Sequence, residues 1–211
     1  MNQIMKSASA LLLAAALITG CGADKTAKPA DPGSKQWNEP PAMAISTDKQ
    51  YKAEFHTSKG IFTIELFAKD APGTVNNFVF LAKQKYYDGI TFHRIIQTYM
   101  IQTGDPTGTG RGGPGYTIKD ELNNGHTYEP GIVAMAKTAA PDSGGSQFFI
   151  CTGEQSLQLN SMPDYTIFGK VVSGMDIVQA IAATPVEIGE ESTPSKPTEK
   201  VTIDSITITE Q

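Results

Sequence analysis

The chain has 211 residues, 39% hydrophobic and 18% charged, which suits one domain of ordinary size plus a tail and excludes disorder throughout. Its formal net charge of −5, from 17 basic and 22 acidic residues, argues against a nucleic-acid binder that works by neutralising phosphates. Three histidines and two scattered cysteines are too few for a dedicated zinc site, so neither metal nor other cofactor is expected.

Residues 1–21 read as a targeting segment. A basic start ends at Lys6, an apolar run extends from Ala8 to Ile18 broken only by Ser9, and Thr19-Gly20-Cys21 follows. The run falls short of the ~18 residues of a membrane span. The segment resembles the lipobox of bacterial lipoproteins. That resemblance implies a signal peptide over 1–20, acylation of Cys21, and lipid anchoring to the bacterial cell membrane on its extracytoplasmic side. Each buried acyl methylene contributes about 0.8 kcal/mol, so two or three chains hold firmly. Cys151 would then be the lone thiol, and its neighbours Phe148-Phe149-Ile150 suggest a buried, passive one. After Cys21, residues up to 48 carry Pro29, Pro32, Pro40 and Pro41 without a periodic apolar face, the pattern of a flexible linker. Trp37, the only tryptophan, reads there as solvated or loosely packed.

The folded domain is expected over 49–211. Tyr51, Ala53 and Phe55 alternate with Lys52, Glu54 and His56; Ser58-Lys59-Gly60 turns; Phe62, Ile64 and Leu66 alternate again. This period of two predicts a hairpin with one buried face. Val75, Phe78, Val79 and Ala82 fall at helical spacing and predict a helix over 72–85, with Pro72 in its first turn. Short apolar runs over 92–96, 132–136, 148–151 and 166–172 predict buried strands. Met175, Val178, Ile181 and Ala182 predict a second helix over 175–183. A last strand covers 201–209, its alternation slipping at Asp204-Ser205 as at a bulge. Many short strands with two helices favour a closed sheet or a sandwich over a doubly wound fold.

Two motifs fail on mechanism. Gly108-Thr109-Gly110-Arg111-Gly112-Gly113 matches the dinucleotide fingerprint in letters, but Pro114-Gly115 follows where a helix must open. Ser146 in Gly144-Gly145-Ser146-Gln147 lacks the strand-to-helix elbow of a hydrolase nucleophile. Arg94 is more telling. It is one of two arginines and sits inside an apolar strand, Phe92-His93-Arg94-Ile95-Ile96, where a guanidinium must be paired or used.

Five ordered blocks surround it. They are Phe92-His93-Arg94-Ile95-Ile96, Met100-x-Gln102-x-Gly104-Asp105, Gly131 to Ala136, Gly145-Ser146-Gln147-Phe148-Phe149-Ile150 and Phe168-Gly169-Lys170-Val171. Over about residues 50 to 211 the chain resembles the cyclophilin-type peptidyl-prolyl cis–trans isomerases. The resemblance implies a mainly β fold, an eight-stranded antiparallel closed β-barrel capped by two helices. It implies a monomer without cofactor that acts on proline-containing polypeptides, here exported ones. Arg94, Gln102 and Phe149 would be catalytic, with Gln102 orienting Arg94. His93, Tyr99, Met100, Ala136, Lys137, Thr138, Gln147, Leu159 and Tyr165 would bind substrate. The chain departs from the best-known members at Tyr99, at Lys137-Thr138 and at Tyr165, and it lacks a tryptophan before Leu159. Weak cyclosporin binding is therefore expected. A proline-binding module without turnover, or a membrane-tethered chaperone, stands as the competing reading.

Overall fold

The computed structural model describes residues 35–211; Cys21 and the rest of residues 1–34 lie outside the described residues. In chain order the elements are β1 (Tyr51–Thr57), β2 (Gly60–Leu66), α1 (Pro72–Lys83), β3 (Arg94–Ile96), β4 (Met100–Thr103), β5 (Ile132–Met135) and β6 (Phe148–Cys151). A 3-10 helix (Glu154–Ser161), β7 (Ile167–Ser173), α2 (Met175–Ala182), β8 (Val186–Ile188), β9 (Pro194–Pro197) and β10 (Ile203–Glu210) complete it. Eight strands form one antiparallel sheet in the order β10-β1-β2-β7-β5-β6-β4-β3.

The expected closed barrel is corrected to a curled sheet, a half-barrel. Its edge strands β10 and β3 share no ladder. The seam is stitched instead by the flanking backbone: a Thr91–Thr202 bridge, Phe92 N–H to Val201 O at 3.0 Å and Gly89 N–H to Ile203 O at 2.7 Å. The bulge expected at Asp204-Ser205 is present, where His56 faces Ser205 and Thr57 faces Ile203. β4 and the small β8–β9 hairpin had no sequence signal, being three or four residues long with mixed polarity.

Strand alternation sorts the sheet into two faces. Phe55, Phe62, Ile95, Ile101, Val133, Phe148, Ile150 and Phe168 point into the main core beneath α1 and α2. Phe55 and Phe62 stack at 4.6 Å, and Phe78 of α1 meets Phe148 edge-on at 5.6 Å. Such pairs add about 0.5–1.5 kcal/mol each beyond burial. The opposite phase, Met100, Ile132, Ala134, Phe149 and Cys151, forms a separate apolar cluster on the other face.

α1 begins with Pro72 and has no side-chain cap of its own. Its free amides are met from 47 and 48 residues away: Glu121 accepts from Gly73 N–H at 2.9 Å, Thr74 N–H at 2.8 Å and the Thr74 hydroxyl at 2.7 Å. A carboxylate at a helix N-terminus is also favoured by the helix dipole.

The stretch 35–48, expected as linker, lies on the domain. Trp37 is 3% exposed, edge-on to Phe80 at 5.3 Å and tilted on Tyr86 at 6.0 Å. Its backbone N–H donates to Pro114 O at 2.8 Å. Gly115, at φ +94°, is required beside it, since a Cβ there would lie 2.5 Å from the Trp37 carbonyl oxygen. Asn76 of α1 completes the strap, accepting from Ala44 N–H at 2.8 Å and donating to Ala42 O at 3.1 Å.

Candidate active site

Register brings the sequence-distant candidates into one row. Arg94 on β3 faces Gln102 on β4, Gln102 faces Phe149 on β6, and Phe149 faces Ala134 on β5. With strands about 4.8 Å apart, the row spans roughly 14 Å. All four belong to the phase that leaves the main core, so one face of the sheet is the floor of a site.

Beside the row lies an apolar cluster, next to a cavity of about 490 Å³ lined in part by Tyr99, Leu159 and Tyr165. Met100 and Phe149 are buried in the second cluster, with Tyr99, Ala136, Leu159 and Tyr165 packed against it. Tyr165 stands edge-on to Phe149 at 5.3 Å. Tyr128 fixes this wall: its hydroxyl donates to Tyr165 O at 2.6 Å and accepts from Tyr165 N–H at 3.1 Å. Asn160 bonds both backbone groups of Tyr128 at 2.8 Å, which ties in the 3-10 helix bearing Leu159. Burial raises the Tyr99 phenol above its ordinary pKa, so it stays neutral.

Arg94 is half-buried, and its guanidinium is held from outside the sheet. Nε and Nη2 donate to a single Glu191 oxygen at 3.1 and 2.7 Å, while Nη1 points to Met100 Sδ at 3.7 Å, on the socket side. Gln102 was expected to hold Arg94. Its amide nitrogen instead donates to Gln147 Oε1 at 3.0 Å. Gln147 in turn donates to Gly110 O at 3.0 Å and Gly112 O at 2.9 Å, so the side chain expected to meet substrate is a pin for the neighbouring loop. Asp105 organises the same loop, accepting from Thr107, Thr109 and Arg111 amides at 2.7, 3.0 and 3.1 Å. Burial works against ionised Asp105, but the hydrogen bonds from the Thr107 hydroxyl and from the loop backbone outweigh it and hold its carboxyl below the ordinary value.

The remaining candidates surround this centre. His93 lines a cavity of about 620 Å³ between Arg94, the 108–111 loop and the β8–β9 hairpin, and both of its ring nitrogens are buried without a partner. Burial drives its pKa down, so the imidazole is neutral. Ala136, Lys137, Thr138 and Gln147 line a second cavity of about 390 Å³ that also touches Gln102. Lys137, whose side chain is 3% exposed, bridges Asp120 and Asp164 at 3.0 Å each, joining two loops at the rim. Thr138 bonds the Ser143 hydroxyl through its amide at 3.1 Å and its own hydroxyl at 2.9 Å.

Sequence reasoning missed Glu191, Tyr128, Asn160 and Glu121. Glu190-Glu191 beside Gly189 looks like any polar turn, and nothing in spacing says which arginine it meets.

The site can hold an apolar ring against Phe149 and Met100, donate a hydrogen bond from Arg94 Nη1, and lay an extended backbone along the β5 end at Ala136. Among the described residues no group of three or more histidine, cysteine, aspartate or glutamate side chains is placed to hold a metal.

Comparison with known proteins agrees with this chemistry. The model of the family described as cyclophilin type peptidyl-prolyl cis-trans isomerase/CLD matches residues 52–208. A protein of Mycobacterium leprae (strain TN) named probable peptidyl-prolyl cis-trans isomerase A is 43% identical over 174 residues, covering 74% of this chain and 91% of its own. Peptidyl-prolyl cis-trans isomerase B of Bacillus subtilis (strain 168) is 52% identical over 116 residues, 54% of this chain and 78% of its own. A Cryptosporidium parvum cyclophilin-type isomerase, crystallised in the presence of the dipeptide Ala-Pro, superposes with a TM-score of 0.67 at 34% identity, covering 75% of this chain and 98% of that one.

Proposed function

This chain belongs to the cyclophilin-type peptidyl-prolyl cis–trans isomerases, and from that premise we propose that Arg94 is the catalytic residue and that Phe149, Met100, Tyr99, Leu159 and Tyr165 form the proline socket. The enzyme accelerates rotation about X–Pro peptide bonds. Resonance opposes that rotation with a barrier near 18–20 kcal/mol. No bond is made or broken, so neither nucleophile nor metal is required. Twisting the amide localises the lone pair on the prolyl nitrogen. A donor placed there bonds the twisted form more strongly than the planar one, and only such differential binding lowers the barrier. A thousandfold acceleration needs about 4 kcal/mol. The observation that carries the assignment is Arg94 Nη1 directed at Met100 Sδ, on the edge of the second apolar cluster, outside the main core.

The proline ring would sit on Phe149, with the substrate backbone along Ala136, Lys137 and Thr138. Gln102 and Gln147 would act as a linked pair that fixes the groove between the two cavities. His93, neutral and half-buried, would back the 108–111 loop.

The order Lys6, Ala8 to Ile18, Cys21 supports a lipid anchor, and with it a location outside the cytoplasmic membrane and exported, unfolded chains as clients. The strap at 35–48 would then set how closely the tether holds the domain. Intact-mass analysis of the N-terminus decides this: an unacylated Cys21 removes the anchor.

The test of the site is line exchange of a proline-containing tetrapeptide by NMR, with the full chain beside its Arg94→Ala variant. A folded variant that loses at least tenfold, about 1.4 kcal/mol, is the expected outcome. Unchanged exchange by the variant overturns the role of Arg94. Binding without acceleration by either protein turns the reading to a proline-peptide module.

A further inference from the structure

We propose that Glu191, at the tip of the β8–β9 hairpin, is the residue that positions Arg94 for catalysis. The proposal rests on the reading of Arg94 given above. A guanidinium on a flexible stem has five donors in one plane, and fixing that plane needs two contacts, not one. Glu191 supplies both through one oxygen, on Nε and Nη2. The remaining donor, Nη1, is thereby aimed at the socket side.

The hairpin is itself anchored around this contact. Glu190 pairs with Arg111 of the opposite loop at 3.0 Å, and Glu187 pairs with Lys196 across the hairpin at 2.8 Å. Gly189 N–H donates to Thr193 O at 2.9 Å, which closes the turn that presents both glutamates. Ser195, 4% exposed, buries the inner side. The only two arginines in the chain are therefore each met by one glutamate from the same turn. Gln102 faces Arg94 in the ladder, but its amide nitrogen is committed to Gln147.

The sequence makes this arrangement measurable. With two arginines, the arginine side-chain NMR spectrum holds two sets of signals. Arg94 should show slowed rotation about its Nε–Cζ bond, with separate Nη resonances, and Glu191→Gln should collapse them. In the same variant kcat should fall about fivefold (about 1 kcal/mol) while peptide affinity stays within twofold. Glu54→Gln, which removes an exposed pair with His56 on β1, should leave both unchanged. In an Arg94→Ala background Glu191→Gln should have no further effect. Wild-type or faster turnover by Glu191→Gln, while Arg94→Ala still loses tenfold, overturns the role of Glu191 alone. Unchanged turnover by Arg94→Ala overturns it together with the reading beneath it. Glu191→Ala gives a second variant of this half-exposed side chain, and it should lose at least as much as Glu191→Gln.

Discussion

Arg94 and Gln102 stand directly opposite each other in the β3–β4 ladder, yet their side chains bond in opposite directions: Arg94 outward to Glu191, Gln102 along the groove to Gln147. The row of candidate site residues is thus braced from two sides. One brace is the hairpin after α2, and the other is the 110–112 loop.

The loop brace can be removed at Gln147. Its amide makes two donor bonds to loop carbonyls and accepts one from Gln102. Gln147→Ala leaves those partners unpaired, at about 1–3 kcal/mol for any that stay buried. We expect KM for a prolyl peptide to rise about fivefold with less change in kcat, together with faster amide exchange over 108–113. An unaltered KM with an unaltered loop removes Gln147 from the site.

Helix α1 depends on a remote carboxylate. Losing a cap contributes about 0.5–2 kcal/mol. Glu121→Ala should therefore lower Tm by roughly 2–8 °C, while Glu129→Ala, whose partner is the exposed Lys170, should change it little. Equal effects from the two would mean that Glu121 does not cap.

The strap gives a third prediction. Removing the indole of Trp37 should destabilise the domain by about 3 kcal/mol, and a chain begun at Ala42 should lose the same. As the only tryptophan, Trp37 also reports directly: native emission should be blue-shifted and should move red when the strap detaches. Emission already typical of solvent in the folded protein contradicts the docking.

Acid should weaken the fold in two steps of the same sign. Burial lowers the pKa of His93 from its ordinary 6.5, assisted by Arg94 and opposed by Asp105. The unfolded chain then binds the proton better, so the stability tied to neutral His93 is complete above 6.5 and is lost as pH falls through the folded value. Asp105, held below 3.8, adds stability that is present above 3.8 and lost as pH falls through its own folded value. Thermal melts should show Tm falling below pH 6.5, and His93→Phe should flatten the first part of that fall. An identical slope in the variant assigns the loss elsewhere.

The thiol of Cys151 is fully buried in β6, and burial pushes it up to about 12. It should resist alkylation at pH 8 until the protein unfolds, and then react once. Fast labelling of native protein at Cys151 would contradict this.

Much of the candidate site was legible because its chemistry is carried by residue type. An arginine within an apolar strand, a Met and aromatic set, and small residues at Ala134 and Ala136 are visible in one dimension. The two-face alternation that divides core from socket follows from a period of two, which local sequence encodes. Leu159 was harder, since a 3-10 helix of mixed polarity gives no clear period; Asn160 and Tyr128 decide which side chain turns inward.

The sequence by itself determined the β1–β2 hairpin, both α-helices and the buried strands of strong apolar pattern, the ordered blocks that mark the family, and the arginine among them, because each depends on near neighbours in the chain. Tertiary structure alone decided that the sheet stops short of a closed barrel, that 35–48 is part of the domain, and that Glu121 caps α1 from 47 residues away. It also decided that Arg94 is held by Glu191, 97 residues away, and not by the glutamine opposite it. The two glutamate contacts are pairings of exposed or half-exposed polar groups across long loops. A glutamate carries the same charge wherever it stands, and only the packed backbone determines which partner lies within hydrogen-bond reach.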